Sequence, residues 1–301
     1  MIFSREKNGI FTKKCKRKGF FLVFSLWLFF LLAVFCLGLG FRTLIVTRKT
    51  KLFLNRMRAH YLALSGVKLG RTVLASDEQA ADYLREEWAN QIEEEVIFSS
   101  PKRTGKFTVM IEDETSRIRI LDTKENLLTQ LLERQGVEDA AEKVDYILDY
   151  IDSDGERRQS ESEDNVKNED FSVPEELLLI KKISGPDYES LKDYVTIFGD
   201  ESDKLNINTV KSELFDILIE DDNLRNDVLS VRLGPNLVEG DEDDGYYGDG
   251  GTGLPEGLDT VFTTSSNIFR ITAQGEAGTI KKKITCIINK DSGKIIYWHE
   301  N

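Results

Sequence analysis

The sequence predicts an α+β protein: a long amino-terminal helix laid on an antiparallel sheet, with a large α-helical insertion between the strands. Three observations predict it. Residues 20–41 carry no charge, and apolar residues then recur at helical spacing as far as Leu74. Residues 106–113 and three segments within 267–298 alternate apolar and polar, the mark of half-buried strands. The chain between those strands has helical periodicity.

Composition narrows the function. The chain has 301 residues, 40% hydrophobic and 31% charged, enough for one large domain or two modest ones. Residues 1–19 hold seven Lys/Arg against Glu6, hence +6, and the chain's formal −13 leaves −19 for the rest. So acidic a body repels phosphate backbones and argues against nucleic-acid binding. Of Cys15, Cys36 and Cys286 only the last lies in the body, so no disulfide forms within it. His60 and His299 are far apart and no CxxC spacing occurs, which argues against a zinc site or a histidine-based triad. No serine elbow, phosphate loop or distinct carboxylate pair stands out, so the chain reads as a non-enzyme.

Phe20 to Phe41 is 22 residues without a charge, long enough as a helix to cross roughly 30 Å of hydrocarbon. The basic residues before it place residues 1–19 in the cytoplasm and the body outside. A secretory signal has an apolar core of about 7–15 residues, and this run is longer and rich in aromatics. Gly38-Leu39-Gly40 leaves cleavage behind the run as an alternative. Beyond it, Phe53, Met57, Tyr61, Leu64, Val67 and Leu74 predict that the helix continues and packs by that face on a globular head. A plain anchor with an amphipathic stalk is the other reading.

Residues 78–92 predict a short helix and a loop. Phe107, Val109 and Ile111 alternate in a strand over 106–113. Segments 108–133 and 194–219 match at an offset of 86 residues, through Val109/Val195, Ile111/Ile197, Leu121/Ile207, Leu128/Leu214 and Leu132/Leu218. Each predicts an extended stretch, an Asx-Thr cap (Asp122-Thr123 or Asn208-Thr209) and an amphipathic helix, by duplication or by ordinary capping chemistry. Leu205–Thr209, L-N-I-N-T, also occurs in helix-hairpin-helix DNA-binding modules. The acids that follow it here (Glu213, Asp216, Glu220, Asp221, Asp222) favour a scaffold instead. Residues 267–275, 280–290 and 294–298 predict a terminal meander, with turns at Gly275/Gly278 and Asp291–Gly293.

Two acidic stretches are candidate cation sites. Asp149, Asp152, Asp154 and Glu156 crowd around Gly155, and Glu161, Glu163 and Asp164 follow. Calcium takes six to eight hard oxygens, which such a loop can supply, although the spacing is not that of an EF-hand. A solvated charge run is the alternative. The Gly/Asp-rich stretch 239–257 is either an exposed loop or the other side of a metal site.

The basic leader ending in Lys18-Gly19, followed by Phe20 and the apolar run, resembles the signal of type IV pilins and type II secretion pseudopilins. The order of elements, the L-N-I-N-T segment, residues 145–156 (DYILDYIDSDGE) and residues 172–183 (SVPEELLLIKKI) resemble the minor pseudopilin K family of the bacterial type II secretion system. The resemblance covers most of residues 19–298. Tyr150 stands where the family has Trp, and Gln159-Ser160 depart from its spacing.

The resemblance implies a pilin-like head and cleavage between Gly19 and Phe20 by prepilin peptidase, with methylation of the new amino terminus. It implies domains at 1–19 (leader), 20–75 (transmembrane and stalk helix), 76–113 with 260–301 (head) and 114–259 (helical insertion). It also implies calcium, with Asp152, Asp154, Glu156, Glu163 and Asp164 as candidate ligands. Most relatives carry Glu at the fifth mature position, where this chain has Phe24, a mark of the subunit at the pseudopilus tip. The expected setting is the inner membrane, single pass, with the head in the periplasm. The expected partners are other minor pseudopilins, met chiefly through residues 42–75, and no nucleic acid. Two other readings stay open: an uncleaved membrane-anchored calcium- or ligand-binding module, and an anchored DNA-uptake receptor.

Overall fold

A computed structural model of the chain describes residues 18–98, 104–122, 125–153, 157–159, 166–199 and 204–301. The chain divides into two units, Met1–Leu54 and Asn55–Asn301. Helix α1 (Lys18–Ser76) begins in the first and runs on into the second. From Phe20 to Leu54 every residue of it is exposed. Among the described residues it is the one helix long and apolar enough to cross a membrane.

The second unit adds, in chain order, β1 (Ile92–Ile97), β2 (Thr104–Asp113), β3 (Ile118–Arg119), α2 (Glu125–Arg134) and α3 (Ala140–Ile151). There follow α4 (Gly185–Leu191), β4 (Val195–Thr196), β5 (Leu205–Asn206), α5 (Phe215–Leu218) and α6 (Asp222–Arg232). The last are β6 (Phe262–Thr263), β7 (Ile268–Ala277), β8 (Ile280–Asn289) and β9 (Ile295–Glu300). One antiparallel sheet takes the order β1-β2-β7-β8-β9, and two short parallel ladders pair β3 with β4 and β5 with β6. The fold is α+β and pilin-like, a long helix on an antiparallel sheet. In β2 the alternation is regular: Phe107, Val109 and Ile111 are buried, while Lys106, Thr108 and Met110 are not.

The face that α1 lays on the sheet is the expected one only in part: Val67 and Leu74 are buried and Leu64 packs against the core. Phe53, Met57 and Tyr61 are exposed, and the buried stripe is Ala59, Leu62, Ala63, Gly66, Val67, Gly70 and Leu74. Small residues let the helix come close to the strands. A Cβ on Gly66 would lie 2.9 Å from the Ala273 Cβ, and one on Gly70 would lie 2.9 Å from the Ile271 Cγ2. Gly275 meets the same crossing from β7, so it is not a turn residue. The turn is made at Gly278, with φ +63°.

The short helix expected at 78–92 is replaced by a 3₁₀ turn at Glu87–Ala89 and by β1. Side-chain partners fix this stretch instead of a helical ladder. Trp88 is buried edge-on against Phe269, with ring centroids 5.1 Å apart. Glu93, Glu94 and Glu95, helix formers by propensity, sit exposed on an edge strand, where charge discourages further pairing.

Two hydrophobic cores result among the described residues. One holds Leu62, Val67, Leu74, Trp88, Val109, Ile271 and Ile288 between α1 and the sheet. The other lies within the chain between β2 and β7 and holds Leu128, Leu131, Ile147, Leu177, Ile207, Phe215 and Phe262. The segments matched as a repeat form different elements. Residues 125–134 make the ten-residue α2, whereas their counterparts make a 3₁₀ turn at Ser212–Leu214 and the four-residue α5. Val109 lies in the main sheet, but Val195 pairs with Ile118. Leu128 and Leu214 are buried in the same core.

Candidate functional site

The end of β2 delivers two consecutive acids into the interior. Glu114 is 0% exposed. Arg270 of β7 donates to it from Nε (2.9 Å) and Nη2 (2.7 Å), Arg117 from Nη1 (2.7 Å), and Thr196 of β4 from its hydroxyl. Burial alone would raise this carboxyl, but the two guanidinium groups outweigh it and hold it below the usual range. One carboxylate thus joins the main sheet to the short β3–β4 ladder.

Asp113 is equally buried and has no cationic partner among the described residues. Burial pushes its carboxyl up, opposed by hydrogen bonds from Ser266, Thr115 and Thr209. It accepts from the Thr115 N–H (2.8 Å), the Ser266 hydroxyl (2.6 Å), the Thr209 hydroxyl and the Asn206 amide (3.2 Å). The L-N-I-N-T segment is therefore a buried polar rivet. Asn206 also donates to the Asp82 carbonyl (3.0 Å), and the Asn208 side chain brackets Tyr247, accepting from its N–H (2.7 Å) and donating to its C=O (2.8 Å). Thr209 does not cap a helix: the next helical turn opens after Lys211 without a side-chain cap. The Asp122-Thr123 cap lies partly outside the described residues.

A third cluster closes the end of α1. Lys290 of β8's end donates to Asp77 (2.6 Å) and Asp82 (2.8 Å). Glu86 accepts from the Tyr83 N–H (3.0 Å) and the Trp88 indole (2.9 Å). Burial, then the nearby Asp77 charge, pushes its carboxyl up to about 7. Asp77, Asp82 and Glu86 each bring an oxygen within 4.8 Å of the others, but the Lys290 ammonium already sits against two of them. A raised folded-state value means that stability is fully present below the unfolded value near 4.5 and is lost as pH rises through about 7. Unfolding monitored from pH 4.5 to 8 is therefore expected to show a falling limb, at steepest about 1.4 kcal/mol per pH unit for one proton. Glu86→Gln is expected to flatten it; an unchanged slope would assign the limb to another group.

The predicted calcium ligands are only partly described. Asp152 Oδ2 accepts from Arg158 Nη2 (3.2 Å), and the same guanidinium lies 2.9 Å from the fully buried Asp149. A cation already serves this end of α3, while Asp152 Oδ1 is buried without a hydrogen-bond partner among the described residues. Asp154, Glu156, Glu163 and Asp164 lie outside the described residues.

The second acidic stretch is built differently. Asp241, Asp243 and Asp244 bring three carboxylate oxygens within 4.8 Å of one another. The Asn236 amide holds Asp241 (2.6 Å) and Asp243 (2.8 Å), and a side-chain hydrogen bond between these two acids lowers Asp241 and raises Asp243. Asp244 is 8% exposed; its Oδ2 takes the Gly240 N–H, and its buried Oδ1 has no hydrogen-bond partner among the described residues. An orphan buried carboxylate oxygen beside two more carboxylates fits a hard cation. The loop is anchored through Glu239 to Arg232, which also donates to the carbonyls of Ile207 (2.9 Å) and Val210 (2.6 Å).

Sequence reasoning missed the clusters around Glu114 and Glu86, because their members are brought together from far apart in the chain (Arg270 lies 156 residues from Glu114). Cys286 is buried in the sheet core, and burial pushes its thiol up to about 11, so it is a packing residue and not a nucleophile. Gly19 and Phe20 lie in the first turn of α1, with Phe20 exposed and its ring stacked on Phe24.

No family model matches the sequence, and no curated protein matches it. The fold is similar to that of a chain in the crystal structure of the GspK–GspI–GspJ complex from the enterotoxigenic Escherichia coli type 2 secretion system. The TM-score is 0.60 at 16% identity, over 85% of this chain and 99% of that one.

Proposed function

We propose that this chain is the K-type minor pseudopilin of a bacterial type II secretion system, a structural subunit at the pseudopilus tip needed for export across the outer membrane. The observation that carries the reading is the likeness to a chain of the GspK–GspI–GspJ complex, which spans 85% of this chain, well beyond the helix and sheet. The uncharged helix from Phe20 supports a single-pass anchor in the inner membrane, with the second unit in the periplasm. The exposed Met57 and Tyr61 on α1 supply apolar surface for the helices of neighbouring minor pseudopilins. Phe24 offers no carboxylate to pair with a following subunit's amino terminus, which suits the first position in a stack.

Prepilin peptidase is the expected processing partner, with cleavage between Gly19 and Phe20. Mass spectrometry of the mature chain is expected to show N-methylated Phe20 at its start. An intact leader, or a start after Gly40, would favour the uncleaved ligand-binding module and sink this reading.

Calcium belongs to the same proposal, with Asp241, Asp243 and Asp244 as the part of the described structure best suited to hold it. Bound calcium would add to the positive charge that Arg85 brings to Asp241 and Arg232 to Asp244, and tie the loop to α6 through Asn236 and Glu239. Ca²⁺ at 100 times its Kd is expected to stabilise the protein by about 2.7 kcal/mol. The rise in Tm should vanish in Asp241→Asn/Asp244→Asn. If it vanishes only in Asp152→Ala/Asp154→Ala, the ion belongs to the 149–164 stretch.

A further inference from the structure

The two edges of the main sheet are finished differently. β1 carries Glu93, Glu94 and Glu95 in succession, all exposed, a charged edge that discourages strand addition. On β9 the sequence is Ile-Ile-Tyr-Trp-His-Glu, without lysine or proline, and Ile295, Ile296 and Trp298 are 37, 45 and 37% exposed. The two hydrogen bonds exchanged between Asn301 and Lys283 fix the phase of the β8–β9 ladder. Bonded pairs alternate in an antiparallel ladder, so with Glu300 opposite Ile284 and Trp298 opposite Cys286, the N–H and C=O groups of Trp298 and Glu300 point away from the sheet.

The surroundings of this edge run against the charge of the body. Residues 279–301 hold five lysines against Asp291 and Glu300, a balance of +3 in a chain of −13. Lys283 and Lys294 are exposed, whereas Lys281 is paired with Glu276 (2.5 Å) and Lys290 with Asp77 and Asp82. Beside the edge, Tyr297, His299 and Lys283 line a cleft of about 360 Å³ shared with Tyr188 and Lys192 and with the acids Glu112, Glu175 and Asp193. A strand added to β9 would send alternate side chains toward that cleft.

We propose that the β9 edge is a docking site for an extended, carboxylate-bearing strand of another protein, which adds to the sheet at Trp298 and Glu300. Backbone hydrogen bonds supply the attachment, and Lys283 and Lys294 select an acidic partner over a basic one. The inference does not rest on the pseudopilin reading.

The test uses the full chain in detergent micelles and a ten-residue peptide alternating valine and glutamate, with a valine–lysine twin. Hydrogen exchange is expected to slow at least tenfold at the amides of Trp298 and Glu300 with the acidic peptide and not with its twin. Glu300→Pro removes an outward donor and should weaken peptide binding at least tenfold, whereas Glu300→Ala, which loses the same side-chain contacts, should not. No protection at β9, equal binding of the twin, or equal binding by Glu300→Pro overturns the proposal. Peptide-free self-association that Glu300→Pro abolishes also overturns it, by making the occupant a second copy of this chain. Should Glu300→Pro fail to fold, the exchange pattern of the unmodified protein decides alone.

Discussion

Glu114→Ala is expected to lower stability by about 3–5 kcal/mol, the range for breaking a buried ion pair from one side. The loss comes from what remains. Arg117 stays with its side chain 6% exposed and Arg270 with 22%, and the substitution takes their shared carboxylate from both. Arg117 keeps Glu112 at 2.9 Å, a half-exposed partner that offsets part of the penalty. Urea unfolding of the full chain in micelles would measure it. A double-mutant cycle with Arg270→Met separates the charge left behind from the worth of the pair, and the double variant should recover part of the loss. The pH profile adds a second check. Because the Glu114 carboxyl is held below its ordinary value, its contribution is present above about 4.5 and is lost as pH falls through the folded-state value. Glu114→Ala should lack that acid limb while keeping the opposite limb owed to Glu86.

The fold was legible where periodicity is local. Alternation marked β2, β7, β8 and β9, and the uncharged run marked the first half of α1, because each pattern reports which side of an element faces the core. The contact face of α1 was legible only in its second half, at Leu64, Val67 and Leu74. Bulky residues at helical spacing suggested it, whereas the sheet approaches along Ala59, Ala63, Gly66 and Gly70, whose importance lies in what they leave out. β1 was hidden because three glutamates look like helix formers when their partner strand is unknown.

The candidate site was legible as composition and not as geometry. The acidic character of 149–164 and 239–257 was plain. Which carboxylates converge depends on Asn236, Arg232 and Arg158, none of which carries a spacing signal. L-N-I-N-T stood out as a motif, but its role in joining Asp82, Asp113 and Tyr247 is set by contacts 39 to 124 residues away in sequence.

Gly275→Ala is expected to destabilise the protein by about 3 kcal/mol, at the upper end for overpacking. The added Cβ would stand 2.1 Å from the Ala59 carbonyl oxygen and 2.5 Å from the Ala63 nitrogen. Both are backbone atoms of α1, so no rotamer change relieves the clash; the helix must lift off β7 or the strand must bend. Either movement opens the core of Leu62, Val67, Phe107 and Ala273 to water. Gly66→Ala meets a side-chain methyl at 2.9 Å and should cost less, and Gly185→Ala, with nothing within 4 Å, should be close to neutral. Thermal unfolding in micelles orders the three. If Gly275→Ala is as mild as Gly185→Ala, the close crossing of α1 on β7 is wrong. If it is severe, the same clash accounts for a second effect: a helix lifted from β7 no longer holds Met57 and Tyr61 at a fixed distance from the sheet, so the surface proposed for neighbouring subunits loses its rigidity even where the chain still folds.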